Sequence, residues 1–434
     1  MSATKAEGRI LLANPPAPAG LVANREGAAG LGTLGEEGGF AYPPQTLAAA
    51  AAALRACGWQ VTACDAPALG LSLEALAGLL AAERPAIVGL LVSALTLDAD
   101  LDALRQLAHR YPAGRYLLFG AALRVLAGSL PPGLPAVVLA GEPEGLLPAA
   151  CARLAAEADA AGAVWSPAEL GLGEEMVDGL APDLDALPLP AWDLLDAGRY
   201  PFLTLQAGRG CGHGCLYCPY VVAQGRRLRR RRPERVLAEL RWLRQRFRPG
   251  RVVFRDPVFA CDRAQAAAIA QGIVADSALR PGPGARYWWW ECESRPEHLD
   301  GELIRLLGQA GCLALKIGLE TVNAELLASL GRTHGPEAAE RYREQTAAAI
   351  EACRQAGIVS RLFVMVGLPG ETEQAVAETA DFLRQVRPAE VLVKRYIPYP
   401  GLVGLQGRAL PAAKEVDARY ALLRATAQAV AGSA

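Results

Sequence analysis

The stretch Phe202-Leu203-Thr204-Leu205-Gln206-Ala207-Gly208-Arg209-Gly210-Cys211-Gly212-His213-Gly214-Cys215-Leu216-Tyr217-Cys218-Pro219 decides how the chain is read. A short apolar strand pattern runs into a glycine-rich loop whose three cysteines have the spacing CxxxCxxC. Three thiolates so spaced can hold one face of a cubane iron–sulfur cluster and leave the fourth iron without a protein ligand. An open iron can bind a cofactor or substrate, so the site suits chemistry as well as electron storage. The alternative is zinc, with His213 or a distant cysteine as fourth ligand. Structural zinc usually draws its ligands as two separated pairs, and no second CxxC pair exists here, which favours the cluster. The expected metal ligands are therefore Cys211, Cys215 and Cys218.

Outward from this loop, strand patterns recur at Phe202–Ala207, Arg251–Phe254, Arg286–Glu293, Ala314–Leu319, Val359–Met365 and Glu390–Arg395. Helical patterns separate them at Pro233–Phe247, Asp262–Asp276, Leu299–Ala310, Pro336–Gly357 and Glu371–Val386. Six such units predict a partial parallel barrel with its chemistry at the carboxyl mouth of the strands. Alternation along the third strand puts Tyr287, Trp289, Glu291, Glu293 and Arg295 on one face, and the polar face belongs in the lumen.

Before the loop lies a second alternating series. Strands are expected at Ile10–Asn14, Gln60–Asp65, Ala86–Val92, Tyr116–Gly120 and Ala136–Ala140, and helices at Thr46–Cys57, Ser72–Glu83, Asp98–His109 and Leu146–Ala158. This is the pattern of a five-stranded, doubly wound (Rossmann-like) α/β domain, which binds ligands at the carboxyl ends of its strands. The proline-rich segment 160–201 reads as a linker packed against both neighbours. The expected organisation is thus 1–159, linker 160–201, barrel 202–401 and a short helical tail 402–434.

The chain has 434 residues, 52% hydrophobic and 21% charged, with a net charge of −1. That composition excludes a disordered polyelectrolyte and any global field that would steer the chain to nucleic acid or anionic lipid. No apolar run approaches membrane-spanning length, and the polar N-terminus lacks a secretory pattern. Ten cysteines without such a signal imply reduced thiols and a cytoplasmic setting. The run Arg226-Arg227-Leu228-Arg229-Arg230-Arg231-Arg232 reads as a solvated charge run, with an acidic or phosphorylated ligand as the alternative.

Taken in order, these motifs resemble the radical SAM superfamily. The carriers are the cysteine loop with an aromatic before its last cysteine, Phe254-Arg255-Asp256-Pro257-Val258-Phe259, Glu293-Ser294-Arg295-Pro296, Ile317-Gly318-Leu319-Glu320, Gly367-Leu368-Pro369-Gly370-Glu371-Thr372 and Pro398-Tyr399-Pro400-Gly401. In the first half, Asn14-Pro15-Pro16, Val88-Gly89-Leu90, Gly141-Glu142-Pro143-Glu144 and Pro188-Leu189-Pro190-Ala191-Trp192 resemble the cobalamin-binding domain and linker of one large radical SAM class. Two departures are Gly120-Ala121, where Gly-Gly is common, and the absence of a DxHxxG motif.

The resemblance implies a [4Fe-4S] cluster, S-adenosylmethionine (SAM) and cobalamin held with no protein imidazole on cobalt. It implies Tyr217, Asp256, Glu293, Arg295 and Glu320 around SAM, and Ser93, Thr96, Gly120, Gly141 and Glu142 at the cobalamin loops. The implied activity is reductive cleavage of SAM to a 5′-deoxyadenosyl radical and methylation of an unactivated carbon of a small-molecule substrate. An external electron donor such as flavodoxin or ferredoxin is implied, and no membrane or nucleic-acid partner. The rival readings are a radical SAM cyclase or rearrangement enzyme without methyl transfer, and a zinc-stabilised RNA-binding protein.

Overall fold

The computed structural model describes residues 8–18, 20–35, 42–157, 160–280 and 288–431. It divides into two compact units: Met1–Leu203 with Pro219–Arg230 and Tyr399–Gly401, and Thr204–Cys218 with Arg231–Pro398 and Leu402–Ala434.

In the first unit, β1 (Arg9–Asn14), β2 (Gln60–Asp65), β3 (Ile87–Leu91), β4 (Arg115–Phe119), β5 (Ala136–Leu139) and β6 (Val164–Trp165) lie in the order β2-β1-β3-β4-β5-β6. Every neighbouring pair is parallel. The order reverses between β1 and β3, which is the crevice where doubly wound sheets take ligands. Ile87–Leu91 is buried along its whole length, as expected of a strand covered on both faces. Helices α1 (Gln45–Ala56), α2 (Leu73–Glu83), α3 (Leu97–Arg110) and α4 (Pro143–Ala156) connect the strands. The alanines of α1 let it lie close to its neighbours, since a small side chain adds little width.

Two features depart from the sequence expectation. The sheet has six strands, because Val164–Trp165 adds to its edge from within the segment read as linker. Two residues carry too little pattern to be seen as a strand; Trp165 gives it a buried anchor under the Arg153 guanidinium, 4.6 Å from the ring centroid. The same segment continues as part of this unit: Trp192 is completely buried and the Ala191 N–H donates to the Ala48 carbonyl at 2.9 Å. A short hairpin, Val22–Asn24 with Thr33–Gly35, also forms after β1.

In the second unit, β7 (Leu203–Leu205), β8 (Arg251–Phe254), β9 (Trp289–Ser294), β10 (Cys312–Glu320), β11 (Val359–Val366) and β12 (Glu390–Arg395) pair in simple chain order. The pairings from β8 to β12 are parallel. Positions 286 and 287 of the expected third strand lie outside the described residues. The crossover helices are α5 (Pro233–Arg246), α6 (Arg263–Ala275), α7 (Gly301–Gln309), α8 (Pro336–Ala356) and α9 (Glu373–Val386), followed by α10 (Ala413–Ala431). Side-chain caps start three of them: Asp262, Asp300 and Thr372 accept from the backbone N–H groups of Gln265, Leu303 and Ala375. Gly357 ends α8 at φ +69°, a left-handed cap that any other residue would strain.

Strand alternation is realised on β9. Trp288 and Trp290 turn towards the helices, where their indole N–H groups donate to the carbonyls of Leu279 (2.7 Å) and Ala310 (2.8 Å). Trp290 packs edge-on against Phe254 with centroids 5.3 Å apart. The opposite face carries Glu291, Glu293 and Arg295 inward, as the sequence predicts. Among the described residues no helix is long and apolar enough to cross a membrane.

Candidate functional site

The cysteine loop leaves the carboxyl end of β7 and is held from both sides. The Asp256 carboxylate, at the end of β8, accepts from the Ala207 N–H at 3.0 Å and from the Gly208 N–H. Further on, the Leu216 N–H donates to the Leu330 carbonyl at 2.9 Å. Gly331 has φ +67°, and a β carbon there would lie 2.7 Å from the Gly214 carbonyl oxygen, so this crossing of two backbones requires glycine. Burial raises the Asp256 pKa to about 7 despite its backbone donors. Asp256 thus acts on the loop's backbone, at the strand end where a cofactor contact is expected.

Cys211 and Cys215 are buried and Cys218 half-buried. None of the ten cysteines forms a disulfide. Burial pushes the Cys211 thiol up. The Cys215 sulfur receives two guanidinium groups: Arg295 Nη1 at 3.0 Å and Arg332 Nη1 at 3.8 Å. Hydrogen bonds and positive charge at sulfur are the means by which proteins tune a metal-bound thiolate, so this donor set fits a cluster ligand.

Arg332 lies in the loop after a short helix and no motif announces it. It is buried, with Nη1 also 3.4 Å from the Tyr217 hydroxyl, Nε 3.1 Å from the Tyr342 hydroxyl, and Nη2 on the Gly318 carbonyl. Tyr342 in turn donates to the Gly318 carbonyl at 2.6 Å. The Tyr217 hydroxyl also bonds Glu320, whose carboxyl burial has raised. Glu320 itself sits at φ +62°, where β10 and β11 slip register between Gly318 and Glu320. A left-handed non-glycine residue at a strand end is costly and clusters at functional positions. The structure therefore gathers Cys215, Tyr217, Arg295 and Glu320 around Arg332.

Deeper in the sheet, Glu291 meets Arg251 (2.8 Å), Lys316 (3.1 Å) and Arg361 (3.2 Å). Burial raises its pKa, but Lys316 and the two arginines outweigh that and leave it below the ordinary value. Glu293, one step nearer the mouth, is pushed up to about 7, first by burial and then by Glu320 against the pull of Lys316. Two carboxyls on one strand face thus shift in opposite directions because their neighbours differ.

In the first unit the strand-end loops are filled from within. The Arg25 guanidinium donates to Asp100 (2.6 Å), Asn14 (2.9 Å) and the Pro15 carbonyl (2.8 Å). Thr96 donates to Asp100 at 2.6 Å, and the Ser93 and Thr96 hydroxyls are 2.8 Å apart. Both are buried, so these hydroxyls fasten the β3–α3 loop, where sequence reasoning expected ligand contacts. Glu142 is paired bidentately with Arg229, at 2.7 and 2.8 Å, and also accepts the Ala181 N–H. Gly141 is explained by packing, since a β carbon there would meet the Gly179 carbonyl oxygen at 2.7 Å. Gly120 is explained in the same way: at φ +150°, its β carbon would lie 2.3 Å from the Val92 carbonyl oxygen.

The arginine run is corrected in part. Arg226, Arg227, Arg230 and Arg232 are exposed, but Arg229 is buried on Glu142 and Arg231 on Glu239 at 2.5 Å. A run of one residue type hides which of its members turn inward.

A three-cysteine loop after the first strand of a chain-ordered parallel sheet defines a radical SAM domain, and residues 205–383 match the family model of the Radical SAM superfamily. The chain has the fold of solved cobalamin-dependent radical SAM enzymes. It superposes on the radical S-adenosylmethionine methyltransferase TsrM of Kitasatospora setae with a TM-score of 0.67, covering 91% of this chain and 74% of that one at 18% identity. It superposes on the cobalamin-dependent S-adenosylmethionine radical enzyme OxsB with a TM-score of 0.63, covering 87% of this chain and 52% of that one at 14% identity. In sequence it is 24% identical over 227 residues to an uncharacterised methyltransferase of Pyrococcus horikoshii, covering 51% of this chain and 46% of that protein. The chain thus spans about half the length of that curated relative.

Proposed function

We propose that this protein is a cobalamin-dependent radical SAM methyltransferase acting on an unactivated carbon of a small molecule. The observation that carries the reading is the Cys211–Cys218 loop with Arg295 on the Cys215 sulfur, in a chain whose first unit is a doubly wound sheet. When bound, a [4Fe-4S] cluster supplies the electron that cleaves S-adenosylmethionine, and cobalamin supplies the methyl relay. Cys211, Cys215 and Cys218 would ligate the cluster. Tyr217, Glu293 and Glu320 would orient the adenosyl group. Asp256 holds the loop in place.

For cobalamin, Gly120 and Gly141 keep two strand ends free of side chains, whereas Ser93, Thr96 and Glu142 are committed to protein partners. His109, the one histidine before the cysteine loop, lies in the last turn of α3, so the reading is cobalamin with no protein imidazole on cobalt. A low-potential donor such as flavodoxin or ferredoxin would supply electrons, and the reduced thiols accord with a cytoplasmic setting.

The test is anaerobic turnover with methyl-labelled SAM and purified, reconstituted protein. S-adenosylhomocysteine, 5′-deoxyadenosine and a labelled product, formed near one-to-one, support the reading. Deoxyadenosine with an unlabelled, rearranged product supports the cyclase alternative, and failure to bind hydroxocobalamin removes the methyl relay.

A further inference from the structure

Beside the cysteine triad a second set of donor atoms converges from three separate connections of the sheet. His213 stands inside the cysteine loop itself. Cys261 ends the 3₁₀ turn Phe259–Cys261 that follows β8, and His298 ends the turn Pro296–His298 that follows β9. One ligand atom from each lies within 4.8 Å of the other two. The two imidazole Nε2 atoms are 2.8 Å apart, with ring centroids at 5.0 Å and the rings tilted by 59°. All three side chains are half-buried, so the group is open to solvent on one side.

We propose that His213, Cys261 and His298 form a mononuclear binding site for a divalent transition cation of the zinc type, distinct from the cluster. Two imidazoles and one thiolate are a zinc donor set, and three protein ligands with an open fourth position are the usual complement of a non-structural site. In a tetrahedral site with Zn–N near 2.0–2.1 Å and Zn–S near 2.3 Å, ligand atoms stand about 3.3–3.6 Å apart. The observed spread brackets that spacing, and small rotations of the three side chains reach it. Binding releases one proton, from the Cys261 thiol; each imidazole stays neutral and presents Nε2 with its proton on Nδ1. Arg295 and Glu297, paired with each other, are charged groups that act on both imidazoles.

The placement gives the cation a task. His213 is the middle one of the three residues between Cys211 and Cys215, so a cation held also by Cys261 and His298 would tie the cysteine loop to the ends of β8 and β9. That tie is independent of the Asp256 and Leu330 bonds that hold the loop's two flanks.

The experiment is zinc binding to the cluster-reconstituted full chain, by competition with a chromophoric chelator, alongside iron analysis. One Zn2+ per chain is expected. Cys261→Ser and His298→Ala should each weaken it at least about a hundredfold, with iron content and cluster absorption unchanged. Wild-type protein that binds no zinc above background overturns the proposal. So does zinc that binds only when the cluster is absent, because the cation then occupies Cys211, Cys215 and Cys218. A loss of iron in Cys261→Ser also overturns it, by making Cys261 a cluster ligand. The zinc count is read without turnover, so it stands or falls apart from the proposed methylation.

Discussion

Arg229 lays the fork of its guanidinium on the Glu142 carboxylate, at 2.7 and 2.8 Å, with both side chains almost entirely removed from water. Arg229 also donates to the carbonyls of Ala181 and Gln224, so one side chain gathers three separate stretches of the first unit. Removing one partner of such a pair leaves a buried charge without compensation. Glu142→Gln should therefore destabilise the first unit by about 3–5 kcal/mol in denaturant titrations. The double variant Glu142→Gln with Arg229→Met should recover most of that loss. A single variant as stable as wild type would mean the pair is solvated.

The contact between Arg295 and the Cys215 sulfur predicts a redox effect. A charge-assisted hydrogen bond to sulfur is worth about 1.5 kcal/mol or more, and for one electron that corresponds to roughly 60 mV. Arg295→Met should lower the midpoint potential of the reconstituted cluster by several tens of millivolts, measured by spectroelectrochemical titration without SAM. An unchanged potential would place the guanidinium away from the ligated sulfur.

Cys215→Ala tests the cluster directly. Loss of one of three thiolates should abolish the iron-dependent absorption and reduce 5′-deoxyadenosine formation to background. The first unit should keep its cooperative unfolding, since Cys215 lies in the second. Normal deoxyadenosine formation by this variant would remove the basis of the functional reading.

Glu293 predicts a pH dependence of stability. Its folded pKa of about 7 lies above the ordinary 4.5, so the native state holds the proton more tightly than the unfolded chain. Its favourable contribution is full below about pH 4.5 and is lost as pH rises through 7. Glu293→Gln, which keeps the neutral shape, should gain on wild type by about 2–3 kcal/mol between pH 5 and pH 8. Parallel stability–pH curves for the two proteins would contradict this.

Most of this architecture was legible because strand and helix periods are long-range patterns. The five main strands of the first unit and all six of the second lie where apolar spacing put them, and the cysteine loop follows its strand as read. The sixth strand escaped because Val164–Trp165 is two residues long, and a strand that short exists only through its neighbour. The arginine run departs in part from its reading because seven nearly identical letters conceal which side chains turn inward; Glu142, 87 residues away, and Glu239, in the helix that follows, decide that. Ser93, Thr96 and Glu142 sit at the strand ends as expected, but their polar atoms are spent on Asp100 and Arg229. Residue type and position can announce a loop without saying which partner the loop already has. Arg332 was missed because no spacing rule points to it; only the folded chain brings it to Cys215 and Tyr217.

The cysteine loop is hung on β7, a strand of three residues at the end of its sheet with a single strand neighbour. An end strand has the fewest partners to lose, so it opens before the centre does. Ligation of the three cysteines would then act as a staple on the weakest margin of the barrel, coupling local order there to iron supply. In hydrogen exchange, the Ala207 and Leu216 amides should be the sentinels of that coupling, slow with the cluster in place and fast without it, while those of β10 and β11 keep their protection in both states.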